Sequence, residues 1–173
     1  MKKNQKFYRD SLKELKPYDP HEVPYKVKLN ANENPYGLPE DIVEKILKKA
    51  KNLKYSLYPN ANSEKLSEAV SAFWGLTRDN IVIGNGSDEL IDYLIKTFSG
   101  KGRKVITTAP SFAMYKIYSI INGSNFVQIP LNQSNFSLNE DKILEEDKKE
   151  NSSIVFLAYP NAPTEIILPR IRL

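Results

Sequence analysis

Four short segments concentrate residue types that do chemistry. The first is Ile83-Gly84-Asn85-Gly86-Ser87-Asp88-Glu89, which joins an apolar run to a helical pattern. Glycines there permit positive φ and close backbone approach. A helix that starts immediately after them presents unpaired N–H groups and the positive end of its dipole. That combination suits an anion, most naturally a phosphate. It is neither the dinucleotide fingerprint nor the nucleotide P-loop, which needs Lys-Ser/Thr. A plain strand-to-helix turn capped by Ser87 uses the same residues. The second segment, Ala109-Pro110-Ser111-Phe112-Ala113-Met114-Tyr115, follows a strand and opens a helix. Phe112 then lies where open α/β sheets bind ligands and can stack on a flat ring, or it is simply a core aromatic. The third, Tyr159-Pro160-Asn161-Ala162-Pro163-Thr164, puts polar groups after the last strand, or is a proline-stiffened loop. The fourth, Leu29-Asn30-Ala31-Asn32-Glu33-Asn34-Pro35, offers hydrogen bonds to a polar substrate, or forms Asx turns on a surface arm.

The elements that must position these segments follow from periodicity. Residues 1–37 read as an extended arm, because Pro17, Pro20, Pro24 and Pro35 force extended or turn conformations. Only Gln5 to Leu15 allows a short helix there. Ile42, Val43, Ile46, Leu47 and Ala50 share one helical face, with Pro39 in the first turn. A second helix starts at Ser63 as N-cap, buries Leu66, Ala69, Val70, Phe73 and Trp74, and ends at Gly75. Ile81-Val82-Ile83 reads as a buried strand and Ser87 to Phe98 as a helix, with Leu90, Ile91, Leu94, Ile95 and Phe98 inward. Strands Lys104 to Thr108, Asn125 to Ile129 and Ile154 to Ala158 alternate with helices Phe112 to Ile121 and Asn139 to Asp147. This alternation predicts an α/β sheet with helices on both faces. The strand runs are continuously apolar, as such a sheet requires.

Composition narrows the chemistry. The chain has 173 residues, no cysteine and one histidine, His21, so disulfides, a cysteine nucleophile and multi-histidine metal sites are excluded. A hydrophobic content of 40% excludes a wholly disordered chain. No apolar run reaches the ~18 residues of a membrane span, and the N-terminus lacks the apolar segment of a secretory signal. A cytoplasmic protein with no membrane role is expected. The net charge of +4 is interleaved with acids rather than clustered, so nucleic-acid binding is not expected.

Taken in order, Leu15-Lys16-Pro17-Tyr18, Leu29 to Pro35, Tyr58-Pro59-Asn60, Gly84 to Glu89, Pro110 to Tyr115 and Tyr159 to Thr164 resemble the histidinol-phosphate aminotransferases. These are pyridoxal-phosphate-dependent aminotransferases of fold type I. The resemblance runs from about Leu15 to Thr164. It implies residues 1–37 as an arm of the small domain, 38–164 as part of the large cofactor-binding domain, and 165–173 as an atypical tail. It implies that Ser87 and Asp88, with Glu89 beside them, hold the cofactor phosphate through backbone N–H groups. Phe112 matches the aromatic stacked on the pyridine ring. Tyr58 matches a tyrosine that reaches the cofactor phosphate of a neighbouring subunit, which implies a homodimer. Tyr18 and Asn32 match residues lining the substrate pocket. Asn161 lies in the motif whose asparagine bonds the ring hydroxyl, though this chain has Ala162 directly before Pro163-Thr164.

The reaction implied is amino transfer between histidinol phosphate and 2-oxoglutarate, within histidine synthesis. The sibling reading is a threonine-phosphate decarboxylase or another small aminotransferase. A reading of another class is a non-catalytic remnant that binds phosphate or the cofactor. No lysine stands in the context expected of a Schiff-base former. Glu165 replaces the family's glycine, and the residues after it match nothing in the family. The sequence thus reads as the front part of an aminotransferase, inactive alone; a frameshift near codon 165 would explain both the lost glycine and the foreign tail, and a short paralogue is the alternative. Four strands with open edges and uncovered helix faces predict poor solubility.

Overall fold

The computed structural model describes residues 6–13, 15, 24–28 and 31–167. Tyr18 and His21 lie outside the described residues. The chain divides into two compact units, Pro17–Ile81 and Met1–Lys16 with Val82–Leu173. Compactness therefore divides it at 81/82.

The first unit holds two helices. α1 (Glu40–Ala50) begins at Pro39, whose carbonyl accepts from the Ile42 and Val43 N–H groups at 3.0 and 3.1 Å. Asp41 and Lys45 pair one turn apart at 2.8 Å. α2 (Glu64–Trp74) ends as expected, at Gly75 with φ +66, where the Leu76 N–H returns to the Ser71 carbonyl at 2.9 Å. Its start corrects the expectation. Ser63 is itself left-handed, with φ +45, and its side chain caps nothing. The Asn60 side-chain oxygen accepts instead, from the Asn62 and Glu64 N–H groups at 2.9 and 3.4 Å.

The apolar face of α2 is not buried as predicted, and that of α1 is exposed too. Phe73 is 80% and Trp74 69% exposed, and Leu66, Ile46 and Leu47 are exposed too. The buried positions of α2 are Ser67 and Ser71, whose hydroxyls donate back to the Glu64 and Glu68 carbonyls. Periodicity identifies a face that gains by being covered; it does not supply the cover.

The second unit is a three-layer α/β arrangement. Its elements are α3 (Gly86–Phe98), β1 (Lys104–Ala109), α4 (Met114–Asn122), β2 (Asn125–Pro130), α5 (Glu140–Asp147) and β3 (Ser152–Phe156). The strands are parallel in the order β2-β1-β3. β1 is central, and five of its six residues are buried. Crossovers from β1 to β2 and from β2 to β3 step in opposite directions, so right-handedness puts α4 and α5 on opposite faces. Packing agrees. Ile91 and Ile95 of α3 meet Val105 with Tyr115 and Tyr118 of α4 on one face. On the other, Ile143 of α5 meets Ile106, Ile129, Leu131 and Leu138. Alternation along β1 thus feeds two cores.

Ile81-Val82-Ile83 is the second correction. It is not a strand among the described residues, and Val82 is 73% exposed. Ile81 is extended, with φ −117 and ψ 125. An extended run becomes a strand only where a neighbour completes its ladder; β1 pairs on both sides with β2 and β3, and neither of those pairs with this run. On α3, Ile91 and Ile95 are buried as predicted, whereas Leu94 and Phe98 are exposed.

The amino edge of the sheet is closed by polar ties. Ser99 and Ser124 hydroxyls lie 2.9 Å apart, as do those of Ser99 and Ser153, and Ser124 also accepts the Gly100 N–H at 3.0 Å. Ser153 is the extra residue where the β1–β3 register shifts. The Lys104 ammonium donates to the Glu146 carboxylate at 2.7 Å and to the Glu146 carbonyl at 3.0 Å. It therefore satisfies a terminal carbonyl of α5 as well as a charge. Hydrogen bonds from Lys104 and then Lys149 hold the Glu146 carboxyl below its ordinary range.

Two outcomes follow from this packing. Ile106→Ala should cost about 2–5 kcal/mol in urea unfolding, while Val82→Ala should stay within about 0.5 kcal/mol. Because the folded pKa of Glu146 is depressed, its contribution is present above the unfolded carboxylate pKa. It is lost as pH falls through the lower folded value. Glu146→Gln should flatten that acid limb of the urea midpoint.

Candidate functional site

α3 ends beside the serine ties at the amino edge, and β1 sets out from there. α3 therefore runs back along the sheet, and its N-terminus sits at the carboxyl edge. The loops leaving β1 and β3 emerge at that same edge. This topology gathers Ser87, Asp88 and Glu89 with Phe112 and Asn161 at one end of the sheet, where open α/β sheets take ligands.

The turn into α3 uses its two glycines differently. Gly86 has φ +81, a conformation that costs any other L-residue about 1–2 kcal/mol. Gly84 has ordinary φ but no room: a Cβ would stand 2.7 Å from Leu90 Cδ2 and 2.9 Å from Leu90 Cγ. Asn85 precedes the helix and provides no side-chain cap, and neither does Ser87 serve as one. Gly86, Ser87 and Asp88 thus open the helix with N–H groups that have no intrahelical partner. Glu89 does not extend outward. Its Oε2 accepts the Asn85 N–H at 2.5 Å and its Oε1 accepts the Tyr93 hydroxyl at 2.8 Å. The Asn85 bond and then the Tyr93 bond hold the Glu89 carboxyl below its ordinary pKa, and the same contact raises that of Tyr93.

Across the edge, Phe112 lies in the loop before α4 rather than inside the helix expected from 112, because α4 starts at Met114. It is 37% exposed and is the outer member of an aromatic run. Its ring stands edge-on to Tyr115 at 5.7 Å, and Tyr115 stacks on Phe156 at 4.6 Å and 9°. Burial raises the pKa of Tyr115. Asn161 is only 1% exposed. Its Nδ2 donates to the Pro110 carbonyl at 3.1 Å and to the Thr164 hydroxyl at 2.8 Å. It ties the loop after β3 to the loop after β1. Backbone bonds from Asn161 N–H to Ile166 and from Glu165 N–H to Asn161 close the turn around it. Three buried side-chain polar atoms among the described residues have no protein partner: Asp92 Oδ1 on α3, and Asn161 Oδ1 and Ser111 Oγ in the loops at this edge. Buried polar atoms are normally satisfied. A bound group with hydrogen-bonding substituents would satisfy the two in the loops.

Asn32 and Tyr58 belong to the other unit. Asn32 is left-handed, with φ +51, in an exposed turn, and Tyr58 is fully exposed. Ser111 and Thr164 stand in the segments singled out by sequence but without a role of their own there, and Tyr93 escaped the sequence reading. The i,i+4 spacing of Glu89 and Tyr93 was the available signal for the last. Among the described residues no cluster of acids and histidines could hold a metal ion, and no helix is long and apolar enough to cross a membrane.

A phosphate-bearing planar ring fits this edge. The helix start offers N–H donors to the phosphate, the glycines admit close approach, Phe112 offers an aromatic surface, and two unpartnered polar atoms are available to ring substituents. Comparison with known proteins points the same way. The family described as "Aminotransferase class I and II" matches residues 24–173. The chain is 39% identical over 161 residues to a histidinol-phosphate aminotransferase of Thermococcus kodakarensis, covering 93% of this chain and 46% of that protein. It is 39% identical over 155 residues to the enzyme of that name in Pyrococcus furiosus. The chain spans about half the length of the curated relatives it matches. Among solved structures, a histidinol-phosphate aminotransferase from Clostridium acetobutylicum superposes with TM-score 0.68 at 28% identity, over 81% of this chain and 39% of that one. One from Sinorhizobium meliloti, in complex with pyridoxal-5′-phosphate, gives TM-score 0.69 at 23% identity over 77% of this chain and 35% of that one. The shared fold is the α/β architecture with helices on both sheet faces.

The tight contact at Gly84 yields a test. Gly84→Ala should destabilise by about 1–3 kcal/mol, and Leu90→Ala should relieve it. In a double-mutant cycle by urea unfolding, the pair should cost less than the sum by more than about 0.5 kcal/mol. Additive costs would mean that Gly84 is not held against Leu90.

Proposed function

The chain belongs to the class I and II aminotransferases, and from that premise we propose that it serves pyridoxal-phosphate-dependent amino transfer on histidinol phosphate, with 2-oxoglutarate as partner substrate. The observation that carries this reading is the bare, glycine-framed start of α3 at the edge that also holds Phe112 and Asn161. Relatives of that name at 37–39% identity support the substrate.

Each residue has a physical task in this reading. The Ser87 and Asp88 N–H groups bind the cofactor phosphate, helped by the dipole of α3. Phe112 stacks on the ring and fixes its plane. Asn161 holds the loops after β1 and β3 together, and its unpartnered Oδ1 accepts a hydrogen bond from a ring substituent. That assignment departs from a simple donor role, because both Nδ2 hydrogens are engaged by Pro110 and Thr164. Tyr58, fully exposed, is available to the cofactor phosphate of a second subunit in a homodimer. Asn32 and Tyr18 contribute to the substrate pocket. When bound, pyridoxal phosphate supplies an electron sink for negative charge developing on the substrate carbon. The protein acts in the cytoplasm on small phosphorylated amino compounds.

Equilibrium dialysis tests the anchoring. The chain should retain pyridoxal phosphate at least about tenfold more tightly than pyridoxal, since a set of charge-assisted hydrogen bonds is lost with the phosphate. Equal retention of the two would contradict the phosphate site. In a protein that joins this chain to a segment supplying the Schiff-base lysine, amino transfer from histidinol phosphate in preference to threonine phosphate, with glutamate formed, tests the substrate; preference for threonine phosphate would contradict it.

A further inference from the structure

Glu89 presents a puzzle. A carboxylate in the first turns of a helix favours the helix but repels an anion bound at its N-terminus. Here it is also close to the loop, since Glu89 Oε2 stands 3.2 Å from where a Gly84 Cβ would be. Its geometry suggests why it is present. One oxygen takes the Asn85 N–H at 2.5 Å, and the other is held by the Tyr93 hydroxyl at 2.8 Å. Asn85 has φ −84 and ψ 74, outside the helical region, and its N–H has no carbonyl partner within the helix. Leu90 fills the space beneath Gly84 from the next position along the same helix.

We propose that Glu89, oriented by Tyr93, is a positioning residue: it pins the Asn85 N–H and so sets the direction of the Gly86, Ser87 and Asp88 N–H groups toward a phosphate. The inference rests on the phosphate reading above and deepens it. Glu89 does not touch the ligand in this account. Consuming the Asn85 N–H has a second effect, because it leaves the anion only the donors that follow. Its negative charge is the cost of this arrangement, and two hydrogen bonds direct its oxygens toward the loop backbone and Tyr93.

A charge effect and a positioning effect give opposite signs, which makes the test decisive. If Glu89 acted only as a nearby charge, Glu89→Ala and Glu89→Gln would both tighten pyridoxal phosphate. As a positioning residue, Glu89→Ala should weaken retention of pyridoxal phosphate about tenfold in equilibrium dialysis and leave pyridoxal unchanged. Glu89→Gln, whose amide oxygen still accepts the Asn85 N–H, should stay within about threefold of the parent chain. Tyr93→Phe should fall between them. Amide hydrogen exchange supplies the readout independent of ligand. The Asn85 N–H should exchange at least about tenfold faster in Glu89→Ala, at the parent rate in Glu89→Gln, while the Ile106 N–H of β1 reports an intact fold. An unchanged Asn85 rate in Glu89→Ala, or equal dialysis results for the Ala and Gln variants, overturns the proposal. If the parent chain itself fails to prefer pyridoxal phosphate over pyridoxal, the phosphate reading fails and this inference falls with it. A parent that prefers it, with a Glu89→Ala variant whose preference is undiminished, sinks the positioning role alone.

Discussion

Parallel pairing on both flanks of β1 constrains everything else at this site. A parallel strand cannot be reached by a tight turn, so each connection crosses the sheet through a helix. Every strand then starts at one edge and finishes at the other. The result is a division of labour between the edges. At the amino edge, Lys104 caps α5 and three serine hydroxyls bind each other and the chain turns. Those groups are spent on structure. At the carboxyl edge, the helix start of α3 and two buried polar atoms retain unused hydrogen-bonding capacity. Function collects where the fold has left polar groups unpaid by other contacts. β1 itself is supported by isoleucine packing on one face and by valine, isoleucine and tyrosine packing on the other.

The polar groups at the carboxyl edge would be a liability without rigid support. Asn161 provides part of it by joining loops that are 51 residues apart in sequence. The aromatic run from Phe112 through Tyr115 to Phe156 provides another part, since it couples the loop after β1 to the end of β3. The Gly84–Leu90 contact does the same for the turn into α3. In each case a residue near the candidate ligand is braced by one whose own role is packing. A site held this way is preorganised, so binding need not order it.

Much of this was legible in the sequence, and the failures share a cause. The α/β alternation and the end of α2 at Gly75 depend on local patterns, and both are present; α3 starts at Gly86, one residue before the expected Ser87. Glycine spacing suggests an anion loop but does not separate a positive-φ glycine from a crowded one; that needs Leu90 in place. Ile81 to Ile83 has strand composition, yet pairing is supplied by a neighbour and not by the segment. The faces of α1 and α2 have helical period, yet Phe73 and Trp74 are exposed. Ser63 had the right type for a cap, while its left-handed backbone handed that task to Asn60. Phe112 was placed inside a helix, and the helix starts two residues later. A loop motif says nothing about burial: Asn161 Nδ2 is a strut between two loops, and its Oδ1 has no protein partner.

The central claim is that the first turn of α3 is the phosphate anchor of an aminotransferase site. Backbone amide NMR of the chain during titration with pyridoxal phosphate addresses it most directly. The account predicts that the Gly86, Ser87 and Asp88 amide resonances shift first and furthest, that inorganic phosphate moves the same three, and that pyridoxal leaves them in place. Shifts centred elsewhere, or a response to pyridoxal equal to that of its phosphate ester, would contradict it.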